Sequence, residues 1–222
     1  MADQEINGDF SRLAVVHTAT LDWQQSPSAS VWRKRLDLSG PAEAGRVTSV
    51  VRYDANSRFH EHPHPQGEEI LVLEGVFSDE HGDYPAGTYL LNPEGFSHAP
   101  FSREGCVLFV KLRQYPGERQ VTIQTREADW TSGELPGLEV QPLYEDTAGR
   151  ERIRLLRLQP GAAIESQVYL GGQELFLLEG ELENGEQSYQ TGSWARYPAG
   201  SRHALKSDGG CLFYEKTGHL AA

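Results

Sequence analysis

The sequence predicts an all-β chain built as two tandem copies of one sandwich or barrel unit, and three observations predict it. The chain matches itself at an offset of 105 residues. Short apolar runs alternate with turns at strand spacing. No window carries a sustained 3.6-residue apolar period. Aligned without a gap, residues 67–111 and 172–216 are identical at 15 of 45 positions, where average composition supplies about three. GEEILVLEGVF from Gly67 answers GQELFLLEGEL from Gly172, and GTYLLNPEGFSHA from Gly87 answers GSWARYPAGSRHA from Gly192. GCVLFVK from Gly105 answers GCLFYEK from Gly210. A chain of 222 residues has room for one large β domain or two of about 100 residues each. The repeat decides for two.

Each element follows from its residues. Arg46-Val47-Thr48-Ser49-Val50-Val51-Arg52-Tyr53 interleaves polar with β-branched side chains, as a half-buried strand does. Glu69–Glu74 and Cys106–Val110 are short apolar runs bounded by glycine and charge, and read as buried strands. His81-Gly82-Asp83 and Pro93-Glu94-Gly95 are turns. The Pro-Gly stretch at Tyr115–Arg119 separates the copies, dividing the chain into residues 1–116 and 117–222. A lead-in at Asp22-Trp23 is echoed at Asp129-Trp130. Many short strands without helices mean a sandwich or barrel.

Composition narrows the function classes. Twenty Lys and Arg against 32 Asp and Glu leave a formal net charge of −12. No basic stripe interrupts it, so neither nucleic acid nor anionic membrane is expected as a partner. The longest apolar runs are four or five residues, such as Ile70–Leu73 and Cys106–Val110, far short of a bilayer span. The opening MADQEINGDF lacks the basic flank and apolar stretch of a signal peptide. Two cysteines make neither a disulfide framework nor a cysteine zinc motif. A soluble, cytoplasmic protein is expected.

The chemistry concentrates in one segment. His60, His62, His64 and Glu68 fall within nine residues, and His98 follows 30 residues after Glu68. On a strand, residues i and i+2 share a face, so His62 and His64 enter one cavity. Glu68 keeps that parity after the Pro65-Gln66-Gly67 turn, and a Pro-x-Gly turn aims His98 from a neighbouring strand. Three imidazoles and a carboxylate suit Zn, Fe, Mn, Co or Ni; without a thiolate, Cu(I) and iron–sulfur are disfavoured.

These residues carry a family resemblance. His-x-His-x3-Glu-x6-Gly occurs as His62, His64, Glu68 and Gly75, and Gly-x5-Pro-x-Gly-x2-His as Gly87, Pro93, Gly95 and His98. Together they resemble the two cupin motifs in order, with Asn56 in place of the first motif's opening glycine and Ser102 in place of the second's final asparagine. The resemblance implies a double-stranded β-helix, or jelly-roll, barrel whose metal ligands are His62, His64, Glu68 and His98. Residues 57–115 are further similar to the cupin domain of ChrR-type anti-sigma factors, and the second copy loosely so. In that family a helical zinc domain grips an extracytoplasmic-function sigma factor, and this sequence has no His-x3-Cys-x2-Cys to match it. The resemblance thus implies a doubled sensor cupin for which a sigma factor is a conceivable partner but not a tightly bound one. A rival pairing of His60 with His62 shares parity but loses the motif's three-residue gap to Glu68. His60 is then a rim residue, Glu69 an exterior charge and His81 a solvated turn residue.

In the second copy His62, His64 and Glu68 become Gln167, Tyr169 and Gln173, while His98 remains His203. The motif turns persist at Gly161, Gly180, Gly192, Pro198 and Gly200. One divalent transition metal (Zn, Fe, Mn or Ni) is therefore expected in the first half and none in the second. On the same reading, histidines at 167 and 169 and a glutamate at 173 would restore a site.

Two functions fit this pattern. One is a regulatory metal-binding bicupin, linked to transcription and stress sensing, whose metal responds to a small molecule or reactive oxygen. The other is an enzyme, a cupin dioxygenase in which Fe(II) or Ni(II) meets oxygen and a small chelating diketone or thiol. No catalytic acid–base residue is legible. Barrel edges invite self-association, so a homo-oligomer such as a dimer is expected.

Overall fold

The computed structural model describes residues 5–220. Among them the chain is strand, turn and one 3-10 turn at Thr18–Thr20, with no α-helix. Among the described residues no helix is long and apolar enough to cross a membrane. The chain forms two compact units, each described in turn.

In the first unit, the larger sheet runs Gln24–Gln25, Val31–Ser39, Arg46–Tyr53, Cys106–Leu112, Glu68–Asp79, Thr88–Asn92 and Val121–Gln124, each antiparallel to its neighbour. Shorter pairs complete the barrel: His62–Pro63 with Ser97–His98, Ser57–Arg58 with Phe101–Ser102, and Gly82–Pro85 with the far half of Glu68–Asp79. The long strand Glu68–Asp79 serves both layers, pairing with Thr88–Asn92 at its start and Gly82–Pro85 at its end. It turns at Gly75, whose φ is 70°. A Cβ there would stand 2.1 Å from the Gly105 carbonyl oxygen, and the repeat Gly180 meets the Gly210 carbonyl at 2.2 Å. Only glycine fits at either place. Asn56, which replaces a motif glycine, has φ 64°. Asparagine tolerates the left-handed region better than most side chains, so the departure keeps the turn.

The second unit repeats this order with Thr131–Ser132, Leu138–Glu145, Arg152–Leu158, Cys211–Thr217, Gln173–Glu183, Ser193–Tyr197 and Ala14–His17. The ladders repeat at the sequence offset: Leu71 faces Tyr89 as Phe176 faces Trp194, and His62 faces His98 as Gln167 faces His203. Val31, Ile70, Val72, Phe77 and Leu108 form the first core, and Leu156, Leu175, Leu177, Leu205 and Phe213 the second. Full burial of such side chains contributes roughly 1.5–3 kcal/mol each.

The units do not divide where the repeat does. Among the described residues, Leu21–Ala128 packs with residues 5–8, and Asp9–Thr20 packs with residues 129–220. Residues 117–128, placed in the second half by the sequence, belong to the first unit because Val121–Gln124 hydrogen-bonds along Thr88–Asn92. Ala14–His17 pairs along Ser193–Tyr197 in the second unit. An edge strand is satisfied in each case.

Candidate metal centre

The local fold of the first unit brings the histidines together. His98 lies directly opposite His62 in the ladder, so two imidazoles leave adjacent strands side by side. The His64 amide donates to the Phe96 carbonyl at 2.8 Å and the Gly95 amide donates to the His64 carbonyl at 3.1 Å, which ties the third histidine to the same Pro-x-Gly turn. Ligating atoms of His62, His64 and His98 lie within 4.8 Å of one another. His64 and His98 are buried and His62 half-buried.

Glu68 stands beside this group. Its carboxylate oxygens are 3.6 Å from His64 Nδ1 and 3.6 Å from His98 Nε2, and the Asn92 amide donates to it at 3.2 Å. His60 is exposed and contributes its carbonyl, which accepts from His62 Nδ1 at 2.9 Å. That bond leaves Nε2 as the free nitrogen of His62. The cluster therefore uses the His62/His64 pair and not His60/His62. Glu69 points away from the histidines as expected, but it is buried, 2% exposed, and accepts from the Tyr89 hydroxyl at 3.2 Å. The exterior role assigned to it is corrected: alternation sets which way a side chain points, not what covers it. His81 is exposed.

One residue of the site escaped the sequence reading. His98 Nδ1 donates to Asp79 Oδ2 at 3.0 Å, and Asp79 is also held by the Tyr84 hydroxyl at 3.1 Å and the His81 amide at 2.8 Å. A carboxylate on Nδ1 fixes the tautomer that leaves Nε2 free, an arrangement common behind metal-binding histidines. Burial opposes a charged His98, but the Asp79 hydrogen bond and the Glu68 charge more than offset it and its pKa is raised. Burial dominates at His64 and lowers its pKa. Two Nε2 atoms, of His64 and His98, face each other at 2.9 Å. Two nitrogen lone pairs repel at that distance unless a proton or a cation lies between them. This donor set fits a borderline divalent ion.

The centre opens on a cavity of ≈ 240 Å³ with mainly apolar walls, among them Val51, Tyr53, Ile70, Phe77 and Leu108.

The second unit fills the equivalent space. Tyr197 stacks on His203 with ring centroids 3.7 Å apart and Tyr169 stacks at 4.6 Å, both at 15°. His203 Nε2 donates to Gln173 Oε1 at 2.7 Å, and Gln173 Nε2 donates to Glu215, which Arg154 also binds. Burial pushes the His203 pKa down to about 4. Asn184, at the position of Asp79, donates to the hydroxyls of Tyr189 and Tyr197 at 3.1 and 2.8 Å. The expectation that three substitutions would restore a site is therefore incomplete, because Tyr197 lies on the face of the one histidine that remains.

Comparison with known proteins accords with this geometry. The ChrR cupin-like domain matches residues 11–116 and again 118–221. The chain belongs to that family. No curated protein matches it. A Nostoc punctiforme protein provisionally named a dioxygenase superposes with a TM-score of 0.80 at 15% identity, over 96% of this chain and 85% of that one. Escherichia coli YlbA superposes at 0.71 with 18% identity, over 100% and 96% of the two chains. Oxalate decarboxylase of Bacillus subtilis reaches 0.64 at 12% identity, over 96% and 78%. At such identities the likeness shows the cupin fold alone.

Proposed function

We propose that this ChrR-like bicupin is a cytoplasmic sensor that binds one divalent transition ion in its first half and, through that ion, a small chelating molecule. The observation that carries the reading is the His62/His64/His98 cluster, with Glu68 beside it, at the wall of an apolar cavity. His62, His64, Glu68 and His98 hold the ion, and Asp79 orients His98. An ion there supplies Lewis acidity toward an oxygen chelate.

The cavity's other titratable groups favour sensing over turnover. Burial and the nearby Glu68 charge raise the Tyr53 pKa well above the ordinary tyrosine value. Glu43 is held below the usual carboxylate range by hydrogen bonds from Arg33, against a smaller opposing cost of burial. Neither is poised to move protons near neutral pH. The cysteines are also set aside: Cys106 and Cys211 are buried, and burial raises the Cys106 thiol to about 11, which suppresses thiolate chemistry. The residues of this chain offer no Cys-ligated zinc site of the kind that grips a sigma factor, which supports self-association through barrel edges over tight sigma-factor binding by these two units.

The enzymatic alternative rests on the fold shared with the Nostoc protein provisionally named a dioxygenase. Protein loaded separately with Zn(II), Fe(II), Mn(II) or Ni(II) is mixed with small diketones and thiols, and both melting temperature and oxygen uptake are followed. The sensor reading expects a higher melting temperature with chelator and no sustained oxygen consumption. Steady uptake would assign the site to catalysis, and submicromolar co-purification with a sigma factor would restore direct anti-sigma action.

A further inference from the structure

The strand Val31–Ser39 carries an anomaly inside the first barrel. Val31 is buried and lines the cavity opposite Tyr53. Two residues on, and so on the same face, Arg33 lies opposite Val51 and lines that cavity too. The alternate side chains point elsewhere: Trp32 donates to Asp54, and the Lys34 ammonium lies over the Trp23 ring. A small barrel ordinarily fills its interior positions with apolar side chains, and a guanidinium among them requires compensation.

Glu43 supplies that compensation. Its carboxylate takes Arg33 in a two-pronged contact at 2.8 and 2.9 Å, and Arg35 reaches it at 3.1 Å. Arg35's other contacts are the Gln24 side-chain oxygen and the Ala42 carbonyl. Two guanidiniums thus share one carboxylate and keep one positive charge in excess, in a chain whose net charge is −12. The partners differ in exposure. The Arg33 side chain is 19% exposed on a paired strand, whereas Glu43 is 53% exposed in the connection after it.

The second repeat offers the control. The residue equivalent to Arg33 in the ladder is Val140, opposite Leu156 as Arg33 is opposite Val51. Val140 packs against the core. Arginine stands in the half with the histidines, and valine in the half without them.

We propose that Arg33 reads a carboxylate on the molecule that enters this cavity, with Glu43 occupying that position until the ligand displaces it onto Arg35. This rests on the metal-borne ligand proposed above. The ligand class is a small molecule with an oxygen-chelating head for the ion, an apolar middle matching the cavity walls, and a carboxylate at its other end. A planar carboxylate is favoured because Glu43 already shows Arg33 binding one through two parallel N–H···O contacts. Displacement leaves Glu43 charged and still partnered by Arg35, so exchanging one carboxylate for another loses little.

The test uses zinc-loaded full-length protein and two matched alkyl hydroxamates, one ending in a methyl group and one in a carboxylate, titrated by calorimetry. Wild-type protein should prefer the carboxylate-tailed probe by about tenfold, the scale of one charge-assisted bidentate contact. Arg33→Gln should remove the preference, so that the two probes bind alike. Glu43→Gln should strengthen carboxylate binding about threefold to tenfold by removing the competitor, a direction that a purely structural ion pair would not produce. If Arg33→Gln fails to fold, Arg33→Lys, expected to keep only part of the preference, decides together with Glu43→Gln. Equal binding of both probes, unmoved by these substitutions, overturns the role of Arg33 and leaves the metal-borne ligand standing. No binding of either probe by protein shown to contain zinc overturns that underlying reading, and the proposal with it.

Discussion

Two barrels of one chain, built on the same ladders, treat the same interior position in opposite ways. In the first, His98 is held from behind by a charged Asp79 and faces His64, Glu68 and open space. In the second, His203 is pressed between Tyr169 and Tyr197 and its nitrogen is spent on Gln173. Asn184 stands where the first repeat has Asp79, and Tyr197 where it has Asn92, so the second unit lacks both the charge behind the histidine and the space before it. The two pockets differ by more than their candidate ligand residues. An emptied polar cavity costs stability, because its walls lose packing and hydrogen bonds, and the tyrosine stack replaces both.

The largest effect should separate the halves outright. His64→Ala should abolish metal content while His203→Ala leaves it at one ion per chain, as read by elemental analysis; two ions per wild-type chain would end the asymmetry. Asp79→Asn, which leaves the ligands in place, should weaken metal affinity by about 10–100-fold.

Grafting sharpens the comparison. Gln167→His, Tyr169→His and Gln173→Glu together should bind no second ion while Tyr197 covers His203. Adding Tyr197→Asn and Asn184→Asp should bring binding to two ions per chain. A second ion in the triple variant alone would show that the stack yields readily.

The smallest effect is a pH dependence. His203 titrates near 4 in the folded chain, against about 6.5 when unfolded. Its neutral form is favoured by folding, so this contribution to stability is present above about 6.5 and is lost as pH falls toward 4. His203→Gln should flatten the stability profile across that window in urea unfolding, and a profile unchanged from wild type would mean the stack opens to admit the proton.

Much of this was legible in the residues. The repeat appeared as identities at a fixed offset, and the ladders reproduce it. The cluster of His62, His64 and His98 appeared as spacing, because strand alternation converts sequence parity directly into direction. Asp79 did not appear, since its partner His98 is distant in sequence and nothing local marks it; only its change to Asn184, alongside the ligand changes, was a signal. Nor did Arg33, which sits in a strand whose three consecutive basic residues, Arg33 to Arg35, look solvent-facing until its ladder is known. Glu69 shows the same limit from the other side, because alternation assigned its direction but not its burial.

The two short edge strands, Ala14–His17 and Val121–Gln124, bear on how the molecule could be dissected. A gene cut after Pro116 yields one product without the strand that borders Thr88–Asn92 and another without the strand that borders Ser193–Tyr197. Each fragment would carry a bare row of backbone donors and acceptors and would aggregate or seek a substitute strand. Duplication made two barrels, but they are no longer separable by undoing it; a usable single barrel must carry its edge strand on a grafted linker.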